Sequence, residues 1–154
     1  MSCYRRSIDV FPRNLHIEKV LLWETEVSDS KVLVVDDNED TRHMIKLLLE
    51  VYGYKVVEAE DGEAATLLAK KERPQLILMD LMMPDMDGFV ATKQIRRIKE
   101  MSNTPIIALS AYVHDLDIQR RAIKAGANEC LQKPNDIRRL KTVVKKYMQT
   151  LRDV

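Results

Sequence analysis

The side chains best suited to chemistry in this sequence are acids, a hydroxyl and an amine that follow short apolar runs. They are Asp36, Asp37, Asp80, Ser110 and Lys133. Carboxylates bind hard cations, and an amine neutralises an anionic group. A carboxylate is also ionised at neutral pH, so it can attack a phosphoryl donor without a general base. These groups could carry out metal-assisted phosphoryl transfer if the fold brings them together.

Apolar patterning predicts the elements that must position these groups. Short apolar runs predict strands at 31–35, 54–57, 76–79, 106–109 and 129–132. Helical spacing predicts a helix after each strand, marked in turn by Met44, Leu47, Leu48 and Val51; by Ala64, Ala65, Leu68 and Ala69; by Val90, Ile95 and Ile98; by Leu116, Ile118, Ala122 and Ile123; and by Ile137, Leu140, Val144, Tyr147 and Leu151. Gly53 and Gly126 are placed to end the first and fourth helices. Strict alternation predicts an α/β fold with a parallel sheet covered on both faces.

In a parallel sheet the carboxyl ends of all strands lie along one edge, where open α/β folds bind ligands. The five polar residues should therefore meet there, although the chain separates Asp36 from Lys133 by most of its length. Three carboxylates in one crevice repel one another by several kcal/mol (roughly 4 for each close pair). Lys133 offsets only one of these charges. The remaining negative charge suits a divalent cation, and an oxygen-rich site favours Mg²⁺.

Such a site has one partner for each equatorial oxygen of a transferred phosphoryl group. Mg²⁺ would cover one oxygen, Lys133 a second and the Ser110 hydroxyl a third. Asp80, which ends the third strand, is the plausible nucleophile. The first two acids, Asp36 and Asp37, exceed what capping the next helix requires, because Asn38 already suits that position.

Four sequence motifs, in this order, resemble those of the response-regulator receiver family. They are Val34-Val-Asp-Asp-Asn38, Leu78-Met-Asp-Leu-Met-Met-Pro-Asp-Met-Asp-Gly88, Ala108-Leu-Ser-Ala111 and Gly126-Ala-Asn-Glu-Cys-Leu-Gln-Lys-Pro134. The resemblance covers residues 31–154, which is 124 of 154 residues. It implies a three-layer, doubly wound (βα)5 sandwich of flavodoxin-like type, with a five-stranded parallel sheet of order 2-1-3-4-5.

The resemblance also implies roles for the metal-binding residues. Asp37 should bind Mg²⁺ directly and Asp36 largely through water, with Asp80 as a shared ligand. The backbone carbonyl of Met82 should be a further ligand.

For the phosphoryl group, the resemblance makes Asp80 the phosphoacceptor. Ser110 should contact the phosphoryl group and Lys133 should pair with it. The Lys133–Pro134 peptide bond is expected to be cis, a geometry that is essentially confined to bonds before proline.

The function implied is that of a stand-alone response regulator or phosphorelay intermediate. It would receive its phosphoryl group from a sensor histidine kinase or a histidine phosphotransfer protein. It would signal through the surface of the fourth helix, fifth strand and fifth helix. The oligomeric state is left open by the sequence, and a homodimer, if one forms, is expected to use the face of the fourth and fifth helices. No helix-turn-helix unit follows, so no direct contact with nucleic acid is expected. Its only chemistry would be its own Mg²⁺-dependent phosphorylation and slow self-dephosphorylation.

One residue departs from the family pattern. Three residues before Lys133 the family usually has Tyr or Phe, whose ring moves on phosphorylation, but this chain has Cys130. The switch should therefore be weaker, read differently, or carried by backbone and helix shifts. Tyr112 is a possible partial cover for the site, and Tyr112 and Met82 should tune the lifetime of the phosphoryl group.

Two other functions compete with this interpretation. A haloacid dehalogenase-type phosphatase also uses a strand-end aspartate with Mg²⁺ and lysine, but it needs an acid two residues after the nucleophile, where this chain has Met82. A phosphorylation-independent scaffold on the receiver fold is the other alternative. Such scaffolds usually lose the acid pair, the acceptor or the lysine, and this chain keeps all of them.

Composition excludes several broad classes. Hydrophobic residues make up 45% of the chain and charged residues 32%, which is typical of a globular protein. The net charge of +1 gives no general attraction to nucleic acid or anionic membranes. Apolar stretches are too short to span a bilayer, and no signal peptide is expected. Cys3 and Cys130 lack metal-ligand spacing and fit a reducing cytoplasm.

Residues 1–30 differ from the rest of the chain because they show no strand pattern. Leu15, Val20, Leu21, Leu22, Trp23 and Val27 could form one irregular amphipathic helix. We expect a separate N-terminal extension before a receiver domain at 31–154. The extension is either loosely ordered, with a short helix at most, or a docking or dimerisation segment.

Overall fold

Five parallel strands form one sheet in the computed structural model, which describes residues 30–133 and 137–150. The strands are β1 (Lys31–Val35), β2 (Lys55–Ala59), β3 (Leu76–Asp80), β4 (Ile106–Ser110) and β5 (Glu129–Gln132). Their order is β2-β1-β3-β4-β5, and every neighbouring pair is parallel. The predicted sheet order and fold class are confirmed.

Within the described residues, one α-helix follows each strand. These helices are α1 (Glu39–Val51), α2 (Gly62–Glu72), α3 (Gly88–Arg97), α4 (Leu116–Ala125) and α5 (Ile137–Thr150), with a short 3₁₀ turn at Lys99–Met101. None of the helices in the described part of the chain is both long and apolar enough to cross a membrane.

The sheet is buried on both faces, which is why its inner strands are continuous apolar runs. All residues of β3 and β4 are buried, as are four of the five residues of β1. Alternate side chains point to opposite faces. Val32 and Val34 pack with apolar residues of α1 and α5, whereas Leu33 and Val35 pack with those of α2 and α3.

The helices begin and end at residues whose types favour helix termini. Asn38 begins α1 by accepting a hydrogen bond from the backbone N of Thr41 at 2.8 Å, and Asp87 begins α3 by accepting one from Phe89 N at 2.6 Å. Gly53 lies just beyond α1 with φ 81° and Gly126 ends α4 with φ 115°. Because glycine adopts this left-handed backbone without strain, both predicted helix stops are confirmed.

The helix predicted from Met44, Leu47, Leu48 and Val51 is present, but most of these residues do not face the core. Met44, Leu47 and Val51 are 38%, 51% and 81% exposed, while Ile45 and Leu49 are fully buried. The run from Ile45 to Val51 is apolar at five of seven positions, so two faces compete at helical spacing. Packing against the sheet selects between them.

Strand β2 also starts one residue later and ends two residues later than predicted.

A single arginine ties together several turns at the N-terminal edge of the sheet. Arg96, near the end of α3, donates hydrogen bonds to the backbone carbonyls of Gly126 at 2.8 Å, Met101 at 2.9 Å and Thr104 at 2.6 Å. It also donates to Asn128 Oδ1 at 2.8 Å. Four acceptors from the loops before β4 and β5 thus share one half-buried guanidinium. This arrangement fixes the N-terminal ends of β4 and β5 relative to α3.

Several sequence predictions fall outside the described residues. They are the character of the extension at 1–29, the cis peptide at Pro134 and the helical position of Leu151. These stay predictions.

Candidate functional site

The five predicted polar residues all lie at the carboxyl edge of the sheet. Asp36 and Asp37 follow β1, Asp80 ends β3 and Ser110 ends β4. Lys133 comes directly after β5, and its backbone N donates to the Ser110 carbonyl at 2.8 Å. The parallel topology therefore brings together residues from four strands.

The three acids form one cluster. One carboxylate oxygen from each of Asp36, Asp37 and Asp80 lies within 4.8 Å of the other two. Asp36 and Asp80 are fully buried, and Asp37 is exposed. The cluster therefore opens to solvent on the side of Asp37, where a ligand could enter.

Lys133 inserts its amine between the two buried acids. Its Nζ donates a hydrogen bond to Asp80 Oδ2 at 2.7 Å and lies 3.0 Å from Asp36 Oδ2 as an ion pair. Burial alone would lower the pKa of Lys133, but its hydrogen bond to Asp80 and its charge attraction to both acids outweigh burial and raise that pKa. The amine is therefore firmly protonated and supplies one fixed positive charge.

Asp80 is held at both carboxylate oxygens. Its Oδ1 accepts from the backbone N of Met82 at 3.0 Å, and its Oδ2 accepts from Lys133. Burial raises the pKa of Asp80 to about 6; the Lys133 and Met82 hydrogen bonds oppose this rise and the nearby charge of Asp36 adds to it. The carboxylate is thus oriented, yet still ionised at neutral pH.

The donor set fits a hard divalent cation. Asp36 Oδ2 is buried and accepts no hydrogen bond, so its contact with Lys133 is electrostatic only. One ammonium faces three carboxylates, and all the ligands on offer are oxygens. This excess of negative charge with an unsatisfied oxygen is what Mg²⁺ relieves.

Ser110 and its neighbours border the acid cluster on the β4 side. Ser110 is fully buried, and its Oγ accepts from the backbone N of Tyr112 at 3.0 Å. The Tyr112 side chain itself is 63% exposed. Cys130 is half-buried and packs with an alanine-rich cluster that includes Ala108 and Ala122. Burial raises the pKa of its thiol, so Cys130 behaves as a small neutral core residue.

Two further residues support the site, and sequence reasoning gave neither of them a role. Arg42 donates from its Nη1 to the Asp36 carbonyl at 2.8 Å, and its Nε lies 3.5 Å from Glu58 Oε1. It therefore fixes the backbone of the acid pair against β2. A Cβ on Gly88 would lie 2.0 Å from the Asp80 carbonyl oxygen, so only glycine lets α3 start against the strand end. The only sign of this role in the sequence is that a basic residue, Arg42, follows Asp36 and Asp37 by six and five positions.

Comparisons with known proteins agree with this geometry. The model of the response regulator receiver domain family matches residues 32–145. Protein PilH of Pseudomonas aeruginosa is 34% identical over 107 residues, which cover 70% of this chain and 88% of PilH. The alkaline phosphatase synthesis transcriptional regulatory protein PhoP of Bacillus subtilis is 36% identical over 121 residues, which cover 79% of this chain and 49% of PhoP. The chain thus spans about half the length of some curated relatives and most of the length of others.

Solved structures show the same fold. Chemotaxis protein CheY4 of Vibrio cholerae superposes with a TM-score of 0.74 at 32% identity, over 78% of this chain and 99% of CheY4. The receiver domain of a sensor histidine kinase from Pseudomonas aeruginosa, solved with a magnesium ion coordinated in its active site cleft, gives a TM-score of 0.73 at 32% identity, over 79% of this chain and 99% of that domain. With the family match, these likenesses lead to one conclusion: the chain belongs to the response regulator receiver domain family of two-component signalling, a family of signalling domains rather than enzymes.

Proposed function

We propose that Asp80 is the phosphoacceptor of this receiver and that the acid cluster binds Mg²⁺. The observation that carries the proposal is the buried Asp80 carboxylate, held between the Lys133 amine and the Met82 amide beside two further acids. The phosphorylation-independent scaffold is not favoured, because the relatives are response regulators and every group needed for phosphorylation is present.

In the proposed transfer, an Asp80 carboxylate oxygen attacks the phosphorus of a phosphohistidine. The new O–P bond forms as the P–N bond breaks, and the histidine leaves with the electron pair. Lys133 stays protonated and pairs with one phosphoryl oxygen, and the Ser110 hydroxyl donates to another. When bound, Mg²⁺ supplies positive charge for a third oxygen; Asp36, Asp37, Asp80 and the Met82 carbonyl would hold it.

The rest of the proposal concerns the protein's partners and place of action. A sensor histidine kinase or histidine phosphotransfer protein donates the phosphoryl group in the cytoplasm. Output is by protein contact through the face of α4, β5 and α5, where a homodimer could also form, without direct contact to nucleic acid. Self-dephosphorylation returns the protein to its resting state, at a rate that the exposed side chains of Met82 and Tyr112 tune.

Intact-mass spectrometry after incubation with a small-molecule phosphodonor and Mg²⁺ tests the phosphoacceptor. The wild type should gain one phosphoryl group, and the gain should require Mg²⁺. Asp80→Asn should gain none, because an amide cannot form the acyl phosphate. Asp85→Asn, an exposed acid in the loop after β3, is the matched control and should be phosphorylated like the wild type.

Two results would contradict the proposal. Phosphorylation that persists in Asp80→Asn would place the acceptor elsewhere. A folded wild type that gains no phosphoryl group from any donor would favour the scaffold function.

A further inference from the structure

Helix α1 carries an apolar stripe that the fold leaves uncovered. Met44, Leu47 and Val51 follow one another at spacings of three and four residues and are 38%, 51% and 81% exposed. We call these three residues the α1 stripe. A helix of this kind normally turns polar residues to solvent, so three large apolar side chains along one line call for a cover.

The two flanks of α1 differ in charge. On one flank, Arg42 and Lys46 pair with Glu58 of β2. The stripe lies away from this flank, on the side of α5, where the Tyr52 ring at the end of α1 packs 4.2 Å from Lys141 Nζ. Helix α5 contains five basic residues and no acidic one. The positive charge beside the stripe is therefore on the α5 side, whereas Asp40 and Glu50 of α1 itself are acidic. A cover should be apolar over the stripe and acidic toward α5.

The chain enters the described domain beside this stripe. The Ser30 carbonyl accepts from Lys55 N at 3.0 Å, and the adjacent Tyr54 N donates to Leu49 O of α1 at 3.1 Å. Residue 30 thus lies near the end of α1 that carries Val51. Seven extended residues span at most about 25 Å, and α1 is about 20 Å long. A segment only seven residues upstream of Ser30 can therefore reach any part of the stripe.

The sequence just before Ser30 has the required character. Residues 15–29 contain four acidic residues and one lysine, interleaved with seven apolar residues. We propose that residues 15–29 pack on the α1 stripe of the same chain, with their apolar side chains against Met44, Leu47 and Val51 and their acids toward α5. The inference is independent of the phosphoacceptor assignment, because it rests on a different surface.

The single tryptophan of the chain, Trp23, lies inside the proposed segment and reports on its environment. The experiment measures Trp23 emission and acrylamide quenching in the full-length wild type and in Leu47→Lys/Val51→Lys. Both substitutions are at exposed positions and should leave the circular dichroism unchanged. In the wild type the emission should be blue-shifted relative to the protein unfolded in urea. In the double variant it should shift to the red, and quenching should increase.

Leu67→Lys is the matched control. Leu67 is 65% exposed on α2, which covers the opposite face of the sheet, so this variant should keep the wild-type emission. Wild-type emission equal to that of the unfolded protein would overturn the proposal, as would an unchanged emission in the double variant or an equal red shift in Leu67→Lys. A blue shift that is lost on dilution would also overturn it, since a second copy of the chain would then be the occupant.

Discussion

At the N-terminal edge of the sheet, the guanidinium of Arg96 donates to four acceptors, three of them backbone carbonyls. At the carboxyl edge, the single amine of Lys133 faces three carboxylates, and a buried oxygen of Asp36 accepts no hydrogen bond. Both edges contain a half-buried cation, but of the two only the carboxyl edge leaves a buried polar atom of its cluster without a hydrogen bond. Satisfied polar groups stabilise a fold, whereas unsatisfied charge costs stability and is retained where a ligand completes it.

Substitution of Arg96 should produce the largest loss of stability. Arg96→Met would keep the apolar stem but leave the carbonyls of Thr104 and Gly126 without this donor, while the Met101 carbonyl would keep only the backbone N of Thr104. We expect the free energy of unfolding, measured in urea, to fall by about 3 kcal/mol. Phosphorylation of the folded fraction should be unchanged.

Arg97→Met is the control for this change, because the adjacent Arg97 is exposed. It should alter the free energy of unfolding by less than about 0.5 kcal/mol. Equal effects of the two substitutions would show that the Arg96 hydrogen bonds contribute no more than a surface charge.

At the carboxyl edge, removal of a charge should stabilise the protein. The pKa of Asp80 is raised from 3.8 to about 6 in the fold, so the folded state binds more protons than the unfolded chain between these values. The stability contributed by protonated Asp80 is therefore present below pH 3.8 and is lost as the pH rises through about 6. Without Mg²⁺ at pH 7, Asp80→Asn should raise the free energy of unfolding by about 2 kcal/mol.

This gain should shrink as the pH falls toward 4, where the wild-type carboxyl becomes protonated in both states. Urea unfolding in chelator at a series of pH values measures it, with Asp85→Asn as the exposed control. A gain that is constant from pH 4 to pH 7 would mean that the charge of Asp80 is not its cause.

The smallest expected effect concerns the support of the acid pair. Arg42→Gln removes the donor to the Asp36 carbonyl, so the acids should be less well oriented for a cation. Mg²⁺ affinity, measured by calorimetry, should weaken about tenfold, as is usual for outer residues of a metal site. Lys46→Gln is the control, because Lys46 also pairs with Glu58, but Asp36 is not among its hydrogen-bond or ion-pair partners. If both substitutions weaken binding equally, the Arg42 contact with Asp36 does not position the acids.

The sequence predicted the fold where a pattern had one physical interpretation. The inner strands β1, β3 and β4 are continuous apolar runs, and burial on both faces requires that. The carboxyl edge was predictable for the same reason, since polar residues at strand ends must meet once the strands are parallel. Gly53 and Gly126 marked their helix ends because their left-handed backbone favours glycine.

The sequence left the structure open where tertiary contacts decide between equal alternatives. The core face of α1 depends on whether Ile45 and Leu49 or Met44, Leu47 and Val51 meet the sheet, and both sets are apolar at helical spacing. Arg96 and Arg97 are identical in sequence terms, yet only Arg96 reaches carbonyls from distant loops. Those acceptors are backbone groups, which carry no sequence signal at all.

The Arg96 hydrogen bonds also constrain how the molecule can move. They join the end of α3 to the chain before β4 and to Gly126 at the end of α4, so these places form one rigid base. The start of α4, by contrast, is reached through the short loop after Ser110. A rearrangement that begins at Ser110 would therefore rotate α4 about its C-terminal end, which is held at Gly126. The displacement would grow over about 15 Å toward Leu116, whose exposed side chain lies where the amplitude is largest.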